Sequence, residues 1–379
     1  MNFEFTKKVI RRIFSVFPTR KYVFFESKPD FSDNTKSVFN EMLLRGLNNK
    51  YKLVWRVSDK NKRFPEYKNV KFVDNRTIFN KAEYAYYTLF AKCIITCNEI
   101  MPSNSKKQVS FYLTHGTPIK KLRGKYTIPT RVNYACIASE KTKELMAYEF
   151  SYDINKIYAF GFPRNDTLID TKLKFNEVFE ESFSKIIVWY PTYRKHKGGT
   201  NNVTKNSLPV LHNSEQATML NEFLSKLDVL LVLKPHFVQD VSYIKDYNLS
   251  NIKFIDDSFF EKNNITSYEF VGSCDALITD YSSIYFDYLL ADKPIAVVWE
   301  DIEEYRQNQG FAIDVDYYLK GAEKIYNIED FKNFIMNVAN GIDNLKSERK
   351  EINEWANYSN DGQNSKRVVD FIIEKANLK

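Results

Sequence analysis

From residue 21 onward the chain alternates short apolar runs with longer stretches of helical periodicity. Seven runs have the length and the β-branched or aromatic content of buried strands, at 21–25, 51–55, 70–73, 93–96, 109–113, 134–138 and 157–160. Five more follow, at 185–190, 229–233, 252–255, 276–279 and 295–299. Helical patterns lie between many of them, at 37–48, 78–91, 214–227, 266–272 and 283–291. Strands that alternate with helices predict parallel sheets covered on both faces.

Two such series predict an α/β protein with two Rossmann-like, doubly wound domains that face a cleft. We expect a basic N-terminal segment at 1–20, an N-terminal domain at 21–175 and a C-terminal domain at 176–379. The charged, helical residues 328–379 are expected to pack back across both domains. A long polar loop at 195–214 contains Gly198 and Gly199, and a loop of that length indicates a lid beside the cleft.

Composition excludes several classes of protein. With 379 residues, 44% of them hydrophobic and only 22 Gly and Pro together, the chain is neither disordered nor fibrous. Its four cysteines are scattered, which predicts buried thiols in a reducing cytoplasm and no disulfide framework. No apolar run reaches the roughly 18 residues of a membrane span, and no secretory signal pattern is present.

The net charge of +7 is mild and spread along the chain, without a nucleic-acid motif. It suits an anionic small molecule or an anionic membrane surface. The segment 1–20 concentrates the charge, because it carries five Lys or Arg residues and one acid, Glu4. Its apolar residues fall largely on one helical face. This pattern fits either a helix in a membrane interface or a helix docked on its own domain.

Polar motifs follow five of the predicted strands at their carboxyl ends. They are His115-Gly-Thr-Pro-Ile-Lys120, Gly161-Phe-Pro-Arg-Asn-Asp166, Pro191-Thr-Tyr-Arg194, Lys234-Pro-His236 and Asp280-Tyr-Ser-Ser283. Ligands of open α/β sheets bind beyond the carboxyl ends of the strands. We therefore expect these motifs to line one cleft.

The residue types suggest acid–base and phosphate chemistry. A neutral imidazole at His115 can take a proton from an alcohol, and Gly116 permits close backbone approach, although a histidine bonded into a turn is the alternative. Hydroxyl groups and amides at 279–283 fit a phosphate, or an ordinary helix cap. Asp314 and Asp316 fit a strand edge or turn better than a metal site. The dinucleotide fingerprint, the Walker sequence and the nucleophile elbow are all absent.

Taken together, these motifs resemble the CDP-glycerol glycerophosphotransferase family of teichoic acid and capsule synthesis. The pieces that carry the resemblance are HGTPIKKL (115–122), GFPRNDTL (161–168), PTYR (191–194), LKPHF (233–237), TDYSSIYFDYLLADKPI (279–295), EEY and GF (303–311) and DGQNSKRV (361–368). The first 110 residues carry no motif. Two positions depart from the family pattern, Thr114 before the HGT motif and Gln309 before Gly310.

The resemblance implies a glycosyltransferase-B-like fold, with an acceptor-side N-terminal domain and a C-terminal domain that binds the CDP-polyol. It implies transfer of a polyol phosphate from CDP-glycerol or CDP-ribitol to a lipid-linked saccharide, with release of CMP and without metal or cofactor. His115 would be the base and His236 would contact the diphosphate. The resemblance also implies that Thr279, Ser282 and Ser283 bind phosphate oxygens, with Arg367 nearby. The other residues expected to bind substrate, from their place at the strand ends, are Gly116, Thr117, Arg164, Asn165, Arg194, Lys234 and Asp280.

A lipid-linked acceptor would place the enzyme in the cytoplasm, peripheral on the inner face of the membrane. We expect no nucleic-acid partner, since the chain has no nucleic-acid motif. A nucleotide-sugar transferase or epimerase on the same fold is the rival, and Glu300 or Glu304 would then bind the ribose or sugar. A non-catalytic scaffold at the membrane is a third reading. The sequence leaves the polyol, the acceptor and the oligomeric state open.

Overall fold

The computed structural model describes residues 17–171, 173–192, 208–235, 241–245 and 247–379. The chain divides into two compact units. Unit 1 comprises residues 1–117, 122–166 and 358–379, and unit 2 comprises residues 118–121 and 167–357. Most of the predicted N-terminal segment, residues 1–16, lies outside the described residues.

The described part of unit 1 is built on a seven-stranded parallel sheet, in the order β3-β2-β1-β4-β5-β6-β7. Its strands are β1 (Tyr22–Glu26), β2 (Lys52–Arg56), β3 (Val70–Val73), β4 (Cys93–Thr96), β5 (Val109–Tyr112), β6 (Tyr134–Ile137) and β7 (Ile157–Ala159). The helices between them are α1 (Asp33–Leu44), α2 (Ile78–Phe90) and α3 (Lys143–Glu149). Strand order reverses between β1 and β4, as in a doubly wound fold.

The described part of unit 2 has a six-stranded parallel sheet, in the order β10-β9-β8-β11-β12-β13. Its strands are β8 (Lys185–Trp189), β9 (Val229–Leu233), β10 (Ile252–Phe254), β11 (Ala276–Thr279), β12 (Ile295–Val298) and β13 (Glu323–Ile325). The helices are α4 (Asp166–Ile169), which begins in unit 1, α5 (Ser214–Lys226), α6 (Ser242–Lys245), α7 (Asp257–Asn263), α8 (Ser267–Ser273), α9 (Ile284–Tyr288), α10 (Ile302–Asn308), α11 (Val315–Tyr318), α12 (Ile328–Ala339) and α13 (Lys346–Ala356).

Helices cover the sheet of unit 2, which explains its strand sequences. All five residues of β9, Val-Leu-Leu-Val-Leu, are buried. A strand inside a parallel sheet has no solvent face, so it is apolar throughout. Helix α12 contributes to this cover through Phe331, Phe334, Ile335 and Val338, which recur at helical spacing. Its first turn is closed by the Asn327 side chain, which accepts two backbone N–H groups.

The last helix, α14 (Asn364–Ala376), returns to unit 1. Its apolar residues Val368, Val369 and Ile372 are buried in one core with residues of β1, β4 and β5. The sequence assigned all of 176–379 to the second domain, whereas residues 358–379 belong to unit 1 and residues 167–175 to unit 2. An amphipathic helix is stabilised by whichever apolar sheet it covers, and the local sequence does not identify that sheet.

The expected fold class, an α/β protein with two doubly wound domains, is confirmed. All twelve predicted strands are present, with ends that differ by no more than one residue. The sequence missed β13, a short strand with one buried residue, Ile325. None of the helices in the described ranges has the length and apolar character needed to cross a membrane.

Candidate functional site

The motifs predicted from the sequence follow the strands as expected. In unit 1, His115 lies beyond β5 and Arg164 beyond β7. In unit 2, Thr192 lies beyond β8, Lys234 beyond β9 and the 280–283 motif beyond β11. Strands β8 and β11 are neighbours on either side of the point where the strand order reverses. This is where doubly wound sheets bind their ligands.

The imidazole of His115 is exposed at the carboxyl edge of the unit 1 sheet. Its Nδ1 lies 3.1 Å from the backbone carbonyl oxygen of Cys97 and 3.5 Å from the hydroxyl group of Tyr112. A carbonyl oxygen only accepts, so Nδ1 carries the proton that it donates to Cys97. In the neutral ring Nε2 then has the free lone pair. The ring is therefore oriented to accept a proton at Nε2.

The backbone around His115 is held in an unusual conformation. Thr114 has φ +50° although it is not glycine, and it is only 1% exposed. Its hydroxyl group donates to the carbonyl oxygen of Cys136 at 2.9 Å. Gly116 follows with φ +145°, a value that a residue with a Cβ rarely adopts. Such strain persists at functional sites because the surrounding contacts fix it. Thr117, also predicted to bind substrate, is buried.

Arg164, predicted to bind substrate, is 7% exposed, and its guanidinium group is bonded within unit 1. It donates from Nη1 to the Asp33 carboxylate at 2.7 Å and from Nη2 to the His115 carbonyl oxygen at 3.0 Å. Asn165 beside it is fully buried. Asp33 was not apparent from the sequence, because an acid at a helix start is an ordinary sequence feature.

Arg367 lies in unit 1, at the start of α14, and not in the unit that contains the phosphate-type motif at 279–283. Its guanidinium group donates to both carboxylate oxygens of Asp361, to the carbonyl oxygen of Phe160 and to the side chain of Asn364. These bonds join α14 to the end of β7. The part of Arg367 in substrate binding stays a prediction.

A second acid that the sequence analysis did not identify, Glu26, ends β1 beside Thr96, which ends the neighbouring strand β4. Both side chains are 0% exposed. Glu26 Oε2 accepts the backbone N–H of Glu99 at 2.9 Å, whereas Oε1 and the Thr96 hydroxyl group have no hydrogen-bond partner among the described residues. Burial raises the pKa of Glu26 to about 7. A carboxyl group thus stays protonated in the acid range at the reversal point of this sheet.

In unit 2, the first two residues of the 279–283 motif fix the loops around the reversal point. The Thr279 hydroxyl group donates to the carbonyl oxygen of Tyr190 at 2.9 Å. The Asp280 carboxylate accepts the backbone N–H of Thr192 at 2.7 Å. Both side chains are fully buried. They join the ends of β8 and β11.

Ser282 and Ser283 are only partly buried and precede the short helix α9. Within the described ranges neither hydroxyl group makes a hydrogen bond, and Ser283 does not cap the helix with its side chain. The Nζ of Lys234 lies 3.0 Å from a carboxylate oxygen of Asp257. Two other predicted site residues, Arg194 and His236, lie outside the described residues.

The remaining acids named by the sequence analysis have structural partners. Asp314 begins α11 by accepting the backbone N–H of Asp316 at 3.1 Å, so it is a helix cap and not a strand edge. Asp316 forms ion pairs with Arg306 and Lys324. No group of three or more His, Cys, Asp or Glu side chains that could hold a metal occurs in the described part of the chain.

Glu300, beyond the end of β12, binds His212 and Val210. Its carboxylate accepts from His212 Nε2 at 2.9 Å and from the Val210 backbone N–H at 2.8 Å. The hydrogen bond that His212 donates to Glu300 raises the pKa of His212. Glu304 is exposed on α10.

Comparison with known proteins identifies relatives along most of the chain. The teichoic acid poly(glycerol phosphate) polymerase of Bacillus spizizenii is 26% identical over 400 residues, which cover 96% of this chain and 95% of that protein. The teichoic acid glycerol-phosphate primase of Bacillus subtilis is 25% identical over 260 residues, 68% of this chain and 60% of the primase. Among solved structures, the wall teichoic acid polymerase TagF matches with a TM-score of 0.76 and 21% identity, over 98% of this chain and 94% of that one.

The match to TagF supports the two-domain, glycosyltransferase-B-like fold. A family match then covers residues 9–374, which is most of the chain and includes residues 9–110, where the sequence showed no motif. The chain belongs to the CDP-glycerol:poly(glycerophosphate) glycerophosphotransferase family, and is a phosphotransferase of that family.

Proposed function

We propose that this protein transfers glycerol phosphate, or a related polyol phosphate, from a CDP-polyol to a hydroxyl group of a lipid-linked saccharide. The observation that carries this proposal is the geometry of His115, whose Nδ1 is bonded to the Cys97 carbonyl oxygen at 3.1 Å. Nε2 is thereby left to act as a base on an acceptor hydroxyl group. Family membership and the polymerase and primase relatives support the choice of CDP-glycerol as donor.

In the proposed reaction Nε2 of His115 takes the proton as the acceptor oxygen attacks the β-phosphorus of the donor. The new phosphorus–oxygen bond forms a phosphodiester, and the bond between the β-phosphorus and the bridging oxygen breaks to release CMP. Such a transfer depends mainly on positioning and on stabilisation of charge. A histidine with a fixed tautomer meets the first requirement.

For the donor we propose contacts from the side chains of unit 2 that make few bonds within the protein. Ser282 and Ser283 have hydroxyl groups without a hydrogen bond among the described residues, so they can donate to diphosphate oxygens. Lys234 adds positive charge beyond β9. His236 and Arg194 are retained as proposed donor contacts on the resemblance of their motifs. Thr279 and Asp280 hold the 279–283 segment in place through their hydrogen bonds to the backbone of Tyr190 and Thr192.

We further propose that the protein binds the membrane surface where the lipid-linked acceptor lies. Ile78 and Phe79, at the start of α2, are 82% and 88% exposed. Exposed Lys81 follows them, and exposed Arg76, which also pairs with Asp59 and Asp74, precedes them. The basic segment 1–20 ends at the other end of the same helix, where the backbone N–H of Arg20 donates to the carbonyl oxygen of Phe90 at 2.8 Å. Apolar side chains flanked by cations favour an anionic lipid surface.

Release of CMP tests the proposed reaction. The purified protein is offered CDP-glycerol or CDP-ribitol, with and without a lipid-linked disaccharide. We expect CMP release that depends on the acceptor with one donor, and a loss of about 100-fold or more in His115→Ala, since a general base contributes that much. Donor binding by this variant, measured by calorimetry, should change less than a few-fold. Release of a nucleoside diphosphate from a nucleotide sugar instead would overturn the proposed function.

Sedimentation with vesicles tests the membrane contact. Phe79→Asp should weaken binding to vesicles of anionic lipid, while Leu44→Asp serves as a control because Leu44 is equally exposed at 83%, at the end of α1. Equal loss in both variants would contradict the proposed surface.

A further inference from the structure

Asn34, at the start of α1, contacts the loop that carries His115, and Asp33 beside it pairs with Arg164, which contacts the same loop. Asn34 is fully buried, and its amide Nδ2 donates to the carbonyl oxygen of Thr114 at 3.0 Å. Its Oδ1 accepts the backbone N–H of Arg164 at 3.1 Å. Asp33 accepts from the Arg164 guanidinium group, which also donates to the carbonyl oxygen of His115. The carbonyl groups of Thr114 and His115 thus both accept hydrogen bonds. The first comes directly from Asn34, and the second comes from Arg164, which Asp33 binds.

This contact fixes a backbone that would otherwise relax. Thr114 has φ +50° and Asp33 itself has φ +60°, and both values are unfavourable for residues with a Cβ. A strained loop keeps its conformation only where hydrogen bonds determine it on several sides. Here the Asn34 amide and the Arg164 guanidinium group bond the Thr114 and His115 carbonyl groups. The side chain of His115 starts from this backbone.

The pairing of charges makes Asp33 essential to the arrangement. Arg164 is 7% exposed, and a buried guanidinium group without a carboxylate is unfavourable. Asp33 Oδ1 accepts both Nη1 of Arg164 and the backbone N–H of Asn34, each at 2.7 Å. Loss of this oxygen would remove one carboxylate interaction of the arginine. The hydrogen bond from Nη2 to the His115 carbonyl group would then be held less firmly.

We infer that Asp33 and Asn34 are positioning residues for the transfer reaction, which hold the His115 loop directly through Asn34 and through Arg164. The inference rests on the proposed function, because it requires His115 to be the base. It assigns a role to a segment that carries no family motif. Neither residue needs to touch the substrates, so their effect should appear in the rate of transfer and not in donor binding.

A graded series of variants at Asp33 tests this inference. Asp33→Asn keeps an oxygen that can accept from Arg164 but removes the charge, and Asp33→Ala removes both. We expect kcat to fall about tenfold in Asp33→Asn and up to about 100-fold in Asp33→Ala, because small displacements of a catalytic group cost that much. The KM for CDP-glycerol should stay within about twofold in both.

A double-mutant cycle with His115→Ala separates positioning from general damage. If Asp33 acts only through the histidine, Asp33→Ala should cause no further loss of the residual rate once His115 is alanine. The matched control is Asp343→Ala in unit 2, since Asp343 accepts from the buried Arg349 at 2.9 Å. That variant should unfold at a lower temperature yet keep kcat within about twofold.

The outcomes distinguish the two levels of the proposal. If His115→Ala keeps the wild-type rate, both the proposed function and this inference fail. If His115→Ala loses about 100-fold or more of its rate while a folded Asp33→Asn or Asp33→Ala keeps its kcat, only the inference fails. Additive losses in the cycle would also refute it. Should Asp33→Ala not fold, the kcat of Asp33→Asn and its cycle with His115→Ala decide the question alone.

Discussion

Replacing the buried acid Glu26 with glutamine should make the protein more stable at neutral and alkaline pH. Glu26 is 0% exposed, and burial raises its pKa from an ordinary value of 4.5 to about 7. The backbone N–H of Glu99 opposes this shift only in part. Above pH 7 the folded protein therefore contains a buried carboxylate that the unfolded chain would expose to water.

The sign and the size of the effect follow from linkage. A carboxyl group whose pKa is higher in the folded state binds its proton more tightly when folded, so stability falls as pH rises from 4.5 to about 7. Above that range this contribution no longer changes. A difference of about 2.5 pH units corresponds to about 3 kcal/mol, at 1.36 kcal/mol per unit. Glutamine has a similar shape and no titration, so it removes this loss.

The assay is denaturant unfolding of wild type and Glu26→Gln between pH 4.5 and pH 8, at constant ionic strength. The difference in unfolding free energy should be small at pH 4.5 and should grow by up to about 3 kcal/mol by pH 8 in favour of the variant. Glu149 provides the control, since it is equally buried but its Oε2 accepts the backbone N–H groups of Leu122 and Arg123. Glu149→Gln should bring no such gain. A difference between wild type and Glu26→Gln that does not vary with pH would refute the reasoning.

Two further predictions concern packing and a titrating pair. In denaturant unfolding, Gly161→Ala should lower the free energy of unfolding by at least about 2 kcal/mol more than Gly124→Ala does. Both glycines have φ +82°, but only at Gly161 would a Cβ lie 2.1 Å from Asn364 Oδ1. Equal losses of unfolding free energy would contradict this prediction. His212→Gln should destabilise the folded protein more at pH 6 than at pH 9. Glu300 raises the pKa of His212, so the stability that the protonated ring contributes is lost as pH rises through that pKa. A loss of unfolding free energy that is constant with pH would contradict this prediction.

Local sequence patterns predicted the strands, because buried parallel strands are apolar along their whole length. The alternation of strands with helices predicted that the strands run parallel. The pattern fails for β13, which has the sequence Glu-Lys-Ile and one buried residue. The pattern also leaves open which sheet α14 covers, because helical periodicity defines an apolar face but not its partner. Such tertiary choices are not encoded by a short segment.

The sequence predicted that polar motifs follow the strand ends, and His115 and Ser282 do lie there, while their roles stay predictions. Asp33 and Asn34 were not predictable in this way. The partners of their side chains are distant in sequence. The Arg164 guanidinium group is 131 residues from Asp33, and the Thr114 carbonyl group is 80 residues from Asn34. Polar residues at the start of a helix usually cap that helix. Only the folded structure brings them to the carbonyl groups beside the proposed base.

The motif residues differ in whether their side chains already make hydrogen bonds within the protein. Thr279, Asp280 and Arg164 have side chains suited to phosphate or substrate binding, yet each already bonds a backbone group within its own unit. Ser282 keeps its hydroxyl group without a bond among the described residues. A polar side chain that has replaced its water with protein partners gains little by exchanging them for a ligand. The hydrogen bonds that a motif residue already makes therefore separate the side chains that hold a site in place from those that remain available to bind its substrates.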